Sequence, residues 1–77
     1  MTLLDLKTGD LFVITGKNRW PPAHIEPPAG TIYRFGHLDG MYSYCQIVDG
    51  EYSGEIVHPV AWAEVERVNE GLQPVGA

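Results

Sequence analysis

Basic residues and cysteine are scarce in this sequence. Ten Asp and Glu residues outnumber five Lys and Arg residues, which gives a formal net charge of -5. A net-negative domain gains nothing from releasing the counterions of a phosphate backbone, so we expect no direct contact with nucleic acid. Cys45 has no second cysteine with which to pair. A lone cysteine is typical of a reducing compartment, and we therefore predict a cytoplasmic protein.

Long hydrophobic runs are absent as well. No stretch approaches the roughly 20 consecutive apolar residues that a membrane-spanning helix needs. The N-terminal MTLLDLKTGD lacks the basic region and apolar run of a secretion signal. Hydrophobic residues still make up 44% of the 77 residues, enough for a core without a metal or disulfide. We predict a single domain over residues 1–77, with flexible ends at 1–5 and 73–77.

Residues with chemical reactivity are few, and their spacing fits no familiar site. His24, His37, His58 and Cys45 lack the short paired spacings of structural zinc sites. The glycines lie in predicted turns and strands, and none opens a helix as a phosphate-binding loop does. A predicted Cys45–His58 neighbour pair suggests a thiolate–imidazole site, but a buried, inert cysteine explains it more simply. We expect no enzyme activity, no cofactor and no metal.

The sequence is organised around a β-meander from Gly30 to Pro59. Before the meander, residues 11–15 (LFVIT) read as a first strand whose consecutive apolar residues predict that both of its faces are covered. Residues 16–30 hold four of the six prolines and therefore form a long loop. Trp20 and Ile25 are the apolar residues expected to anchor this loop.

The first hairpin of the meander is predicted to turn at Asp39-Gly40, a preferred pair for a two-residue turn. That turn pairs Leu38 with Met41 and sets Phe35 opposite Tyr44. One face of the hairpin is then aliphatic apart from Arg34. The other is an aromatic ladder with polar tips, formed by Tyr33, Phe35, His37, Tyr42, Tyr44 and Gln46.

The rest of the chain allows two interpretations. After Val48 the chain forms either a two-residue turn at Asp49-Gly50 or a wider loop centred on Glu51-Tyr52. The wider loop is favoured, because it would pair Ile47 with Ile56, and it would bring His58 opposite Cys45. Residues 59–63 then form either a short helical turn followed by a closing strand over 64–68, or the start of a C-terminal helix over 59–70. The apolar spacing of residues 61, 65, 68 and 72 favours the helix slightly.

This layout resembles an SH3-like β-barrel over most of residues 6–68. The quoted parts are LKTGDLFVIT, the long loop, the hairpin from Gly30 to Val48, GEIVHP, the turn with Trp62, and AEVERV as the closing strand. The resemblance implies a mainly β, small five-stranded antiparallel barrel with a helical turn near 59–63; an antiparallel sheet with helix 59–70 is the alternative. In peptide-binding members, aromatic residues hold a polyproline-type ligand between the long loop and the turn.

These features predict a non-enzymatic module, monomeric or homodimeric, that binds another protein through an aromatic surface with an acidic rim. The partner is expected to carry a basic patch, because the second half of the chain is strongly acidic. An alternative is a phage-type inhibitor or decoy whose acidic face covers the nucleic-acid-binding surface of a host enzyme. The chain also looks like the small accessory proteins of phages and mobile elements. The predicted binding residues are Trp20, Tyr33, Phe35, Tyr42, Tyr44 and Trp62.

Overall fold

The computed structural model describes residues 1–22 and 25–69, which form one five-stranded antiparallel sheet in the order β4-β3-β2-β1-β5. The strands are β1 (Leu11–Ile14), β2 (Tyr33–Asp39), β3 (Tyr42–Ile47), β4 (Ile56–Val57) and β5 (Val65–Val68). A single 3₁₀ turn, Leu3–Asp5, is the helical element of this part of the chain. The mainly β, five-stranded antiparallel class is confirmed. The sheet is open, however, with β4 and β5 at its two edges.

No helix within residues 1–22 and 25–69 has the length and apolar character needed to cross a bilayer.

The core lies between one face of the sheet, the 3₁₀ turn and the segment between β4 and β5. Phe12 is fully buried and stacks on Tyr33 with a ring separation of 5.2 Å. The prediction that both faces of β1 are covered is wrong, because only Phe12 of that strand is fully buried and its neighbours are half-buried. The other buried members of the cluster are Leu3, Leu6, Phe35, Cys45, Ile47, Val57, Val60, Ala63 and Val65.

The N-terminal segment, expected to be flexible at residues 1–5, forms the capped 3₁₀ turn and contributes Leu3 to the core. Thr2 caps the 3₁₀ turn: its hydroxyl accepts the Leu4 N–H at 3.3 Å, and its own N–H donates to the Asp5 carboxylate at 2.9 Å. This reciprocal cap satisfies backbone groups that a turn end leaves open, and it directs Leu3 inward, where it is fully buried. The flexible end predicted at 73–77 lies outside the described residues.

The first hairpin has a different register from the predicted one. Its turn residues are Gly40 and Met41, with Asp39 opposite Tyr42, and Gly40 takes the positive φ of 63° that this turn requires. A β-bulge at Gly36 then shifts the pairing again, so that Phe35 faces Cys45 rather than Tyr44. Because side chains alternate along a strand, a shift of one residue moves a side chain to the opposite face of the sheet.

The second hairpin keeps the predicted wide loop but is offset by one residue. Gln46 pairs with Ile56 and Cys45 with Val57, so the predicted pairing of Ile47 with Ile56 is wrong. The loop is closed by hydrogen bonds to both backbone groups of Ile47, whose N–H donates to Glu55 O at 2.9 Å and whose carbonyl accepts from Gly54 N at 2.8 Å.

After β4 the chain makes a turn and then a strand, as in the first of the two interpretations, and the alternative helix over 59–70 is wrong in its described part. The Ala63 N–H donates to Val60 O at 3.0 Å to form the turn. β5 then pairs along the whole of β1, from Leu11 opposite Val68 to Ile14 opposite Val65. This pairing supplies hydrogen-bond partners to backbone groups of β1 that a helix would leave without partners. The segment therefore forms a strand although its apolar spacing also fits a helix.

Burial of Tyr33 predicts a loss of stability at alkaline pH. Burial, together with the nearby Cys45, raises the pKa of Tyr33 from 10.0 to about 12. Above pH 10 the unfolded chain loses this proton while the folded chain keeps it, so the free energy of unfolding falls as pH rises to about 12. The loss for a two-unit shift is about 2 to 3 kcal/mol. Urea unfolding at a series of alkaline pH values measures it. Tyr33→Phe is the control and should flatten this part of the profile; an equally steep profile in that variant would assign the effect to another group.

Candidate functional site

The six predicted binding residues do not form one surface. Tyr33 and Phe35 are 2% and 6% exposed and belong to the core, so they cannot line a binding face. The Gly36 bulge is the reason, because it places both rings on the side of Cys45 and Ile47. The predicted aromatic ladder is therefore split between the inside and the outside of the sheet.

The two tryptophans occupy different parts of the fold. Trp20 is half-buried, with its ring centre 6.5 Å from that of Tyr33, and it anchors the long loop as predicted. Ile25, the other expected anchor, is 38% exposed and does not join the core cluster. Trp62 is 45% exposed on the turn before β5, where the neighbouring Ala61 N–H donates to Met41 O at 2.8 Å.

A row of three rings on the outer face of β2, β3 and the end of β4 is the best-defined surface feature. We call the row, His37, Tyr44 and His58, the Tyr44 row. His37 stacks on Tyr44 at 4.7 Å with the ring planes 9° apart, and His58 meets Tyr44 edge-on at 4.6 Å. Tyr44 is nonetheless 40% exposed. A large ring that is fixed by its neighbours and still reaches solvent is pre-organised for contact with a partner.

Local hydrogen bonds hold the Tyr44 row in place. At one end of the row, Thr8 donates its hydroxyl hydrogen to Gly36 O at 2.8 Å, and Gly9 N–H donates to Phe35 O at 2.8 Å. These two bonds connect the turn before β1 to the bulge. At the other end, His58 Nδ1 lies 3.0 Å from Ser43 O. A carbonyl oxygen only accepts hydrogen bonds, so Nδ1 carries a hydrogen in this contact.

Two grooves flank Tyr44. The first, of about 230 Å³, lies between the long loop and the row and has one carboxylate at its edge. Its lining residues are Pro21, Asp39, Tyr42, Tyr44 and His58. The second, of about 430 Å³, is mainly apolar and lies over the bulge, with Ile56, which is 50% exposed, along one side. Arg34 and His37 also border this second groove.

Four acidic side chains of the described chain accept hydrogen bonds from backbone N–H groups. Asp5, Asp10, Asp49 and Glu64 each accept a backbone N–H at 2.8 to 2.9 Å. Asp39 differs from these four, because none of the hydrogen bonds or ion pairs found among residues 1–22 and 25–69 involves its carboxylate. The carboxylate of Asp39 therefore remains available at the first groove.

The predicted neighbour pair of Cys45 and His58 does not form across the sheet. Cys45 lies opposite Val57 and is 2% exposed, and burial raises the pKa of its thiol. A raised pKa keeps the sulfur in its neutral, weakly nucleophilic form. Among residues 1–22 and 25–69, His, Cys, Asp and Glu side chains form no group of three that could hold a metal ion; His24 lies outside the described residues.

The predicted ladder contained His37 together with Tyr42 and Tyr44, but its register did not place His37 opposite Tyr44. His58 was expected opposite Cys45 and instead meets the Tyr44 ring edge-on. A register offset by one residue in each hairpin accounts for both differences.

Comparison with protein-family models, with curated proteins and with solved structures finds no match to this chain.

Proposed function

We propose that this chain is a non-enzymatic module that binds a basic segment of another protein on the outer face of β2, β3 and β4. The observation that carries the proposal is the Tyr44 row, a partly exposed tyrosine fixed between two imidazoles with a groove on each side. Tyrosine combines a large apolar ring with a polar tip, and it is among the residues that most often dominate the free energy of a protein–protein contact.

The apolar character of the same face supports protein binding. Tyr44 and Ile56 are 40% and 50% exposed, and both border the second groove. Neighbouring exposed apolar side chains around a fixed aromatic residue are more typical of an interaction site than scattered single residues are. A segment lying across β3 and β4 would cover both.

The charge of the chain supports a basic partner. The net charge of -5 attracts a positively charged segment from a distance and accelerates its association. Asp39 supplies a carboxylate to the first groove, whereas Arg34 borders the second, so a basic side chain of the partner would be drawn to the first groove.

An inhibitor that acts through a broad acidic face is the second candidate. It is favoured by the acidic composition of the second half of the chain. Binding to such an enzyme surface would weaken steeply with salt. Binding centred on the Tyr44 row should depend less on salt, because ring contacts contribute to it.

Selection of peptides on the purified protein tests the proposal. A displayed random-peptide library is selected against the wild-type chain, and the enriched peptides are measured against Tyr44→Ala. We expect peptides with basic residues whose affinity falls by about 30-fold or more in that variant, the loss expected when an interface hot spot is removed.

Trp62→Ala is the matched control, since Trp62 is an aromatic residue of similar exposure that borders neither groove. Its affinity for the same peptides should stay within about twofold of wild type. Peptides that lose affinity in Trp62→Ala but not in Tyr44→Ala would place the binding face elsewhere.

A further inference from the structure

The first groove has the chemistry of a site for a single cationic side chain. It is lined by Pro21 and by three residues with aromatic rings, Tyr42, Tyr44 and His58, and its one carboxylate is that of Asp39. Aromatic faces attract cations through the negative potential above the ring. A carboxylate at the edge of such a face supplies the opposite charge and accepts hydrogen bonds from the cation.

We propose that this groove binds the guanidinium of an arginine in the partner segment. The inference rests on the proposed function and specifies which residue of the partner the site recognises. Arginine fits better than lysine because its guanidinium is planar, stacks on aromatic rings and presents two parallel N–H donors to one carboxylate. A lysine ammonium is more strongly hydrated and offers no flat surface to the tyrosines.

The size and position of the groove agree with one side chain rather than a small-molecule ligand. Its volume of about 230 Å³ lies below the roughly 300 to 1,000 Å³ of typical ligand pockets. Asp39 pairs with Tyr42 across the hairpin, so the carboxylate and this ring come from directly opposite positions of one β-ladder. The backbone pairing therefore fixes their spacing before a partner arrives.

The carboxylate of Asp39 is the negative charge that a cation in this groove would meet. The four aspartate and glutamate side chains that bind backbone N–H groups are already occupied by the fold. Asp39 is exposed and borders an aromatic groove, and the hydrogen bonds and ion pairs of the described chain leave its carboxylate out. A guanidinium would bind this carboxylate without displacing a partner of Asp39 from the described residues.

The test titrates N-acetyl-arginine amide into the full chain and follows the chemical shifts of the tyrosine and histidine ring protons by NMR. We expect shifts concentrated on Tyr42, Tyr44 and His58. Citrulline amide keeps the shape of arginine without its charge and should bind at least about tenfold more weakly, as should the lysine derivative. Asp39→Asn should weaken arginine binding by about tenfold, a loss expected for one charge-assisted hydrogen-bonded contact.

Glu51→Gln is the matched control, because it removes one negative charge from an exposed residue that does not border the groove. Arginine binding in this variant should stay within about twofold of wild type. Equal binding of arginine and citrulline, or equal losses in Asp39→Asn and Glu51→Gln, would overturn the proposal.

The two proposals can fail separately. If selected peptides depend on Tyr44 but bind equally well after their arginines are replaced by citrulline, the binding face stands and the arginine site is wrong. If the arginine derivative titrates the groove while no selected peptide is sensitive to Tyr44→Ala, the proposed protein-binding function is wrong and the arginine site stands.

Discussion

Gly36→Ala should cost about 3 kcal/mol of folding free energy, the upper end of the usual range for overpacking, because it places a methyl group in the β-bulge. A Cβ at this position would lie 2.5 Å from Tyr44 O and 3.5 Å from the carbonyl carbon. The obstacle is backbone in the middle of β3, so relief requires the two paired strands to separate locally. Gly36 O also accepts the hydrogen bond from Thr8, which separation of the strands would strain.

Gly16→Ala is the control for this substitution. A Cβ at Gly16 would lie 2.8 Å from Glu64 Oε1. This contact is also too short, but it is made with the flexible end of a side chain rather than with backbone. Glu64 can move away at the expense of its hydrogen bond with the Lys17 N–H, a loss of about 1 kcal/mol. Urea midpoints of the two variants make the comparison. Equal destabilisation would show that the close approach at Gly36 is not a constraint on the sheet.

Leu3→Ala should destabilise the protein by about 3 kcal/mol, within the 2 to 5 kcal/mol that buried leucine truncations cost. Leu3 is fully buried although it lies only two residues from the start of the chain. Its removal would leave a cavity beneath the 3₁₀ turn, next to the core residues Leu6 and Val65. The expected measurement is a lower urea midpoint with an unchanged dependence on urea concentration.

The next residue provides the control for the leucine truncation. Leu4 belongs to the same turn and has the same side chain, but it is 65% exposed. Leu4→Ala should change the free energy of unfolding by no more than about 0.5 kcal/mol. If both variants behaved alike, the N-terminal turn would not be packed on the core as described.

The class of the fold could be predicted because it depends on features that are local in sequence. Turn-forming glycines and prolines separate short apolar runs, and these runs became β1 to β5 within a few residues of the expected positions. The choice between helix and strand after Pro59 could not be made locally. It depends on the pairing of Val65–Val68 with β1, a contact between residues far apart in the chain.

The candidate site was harder to predict because it depends on the face to which each residue points. Asp39-Gly40 is a strong turn signal, yet the turn forms one residue later at Gly40-Met41. Gly36 is the residue from which the correct faces could have been predicted. A glycine inside a strand often marks a bulge or a close backbone approach, and a bulge here changes which face of the sheet Tyr33 and Phe35 point to. With that bulge included, Tyr33 and Phe35 move to the core and Tyr44 stays outside.

The same strand order that exposes Tyr44 also has a consequence for the sequence of folding events. β2, β3 and β4 are consecutive in the chain and adjacent in the sheet, whereas β1 pairs with β5 from the far end of the described chain. Closing short loops costs less entropy than closing long ones. We therefore expect the β2–β3–β4 meander to form early in folding and the pairing of β1 with β5 to form late. The row of rings around Tyr44 would then exist in the folding nucleus, and its groove would be completed only when the long loop brings Pro21 alongside.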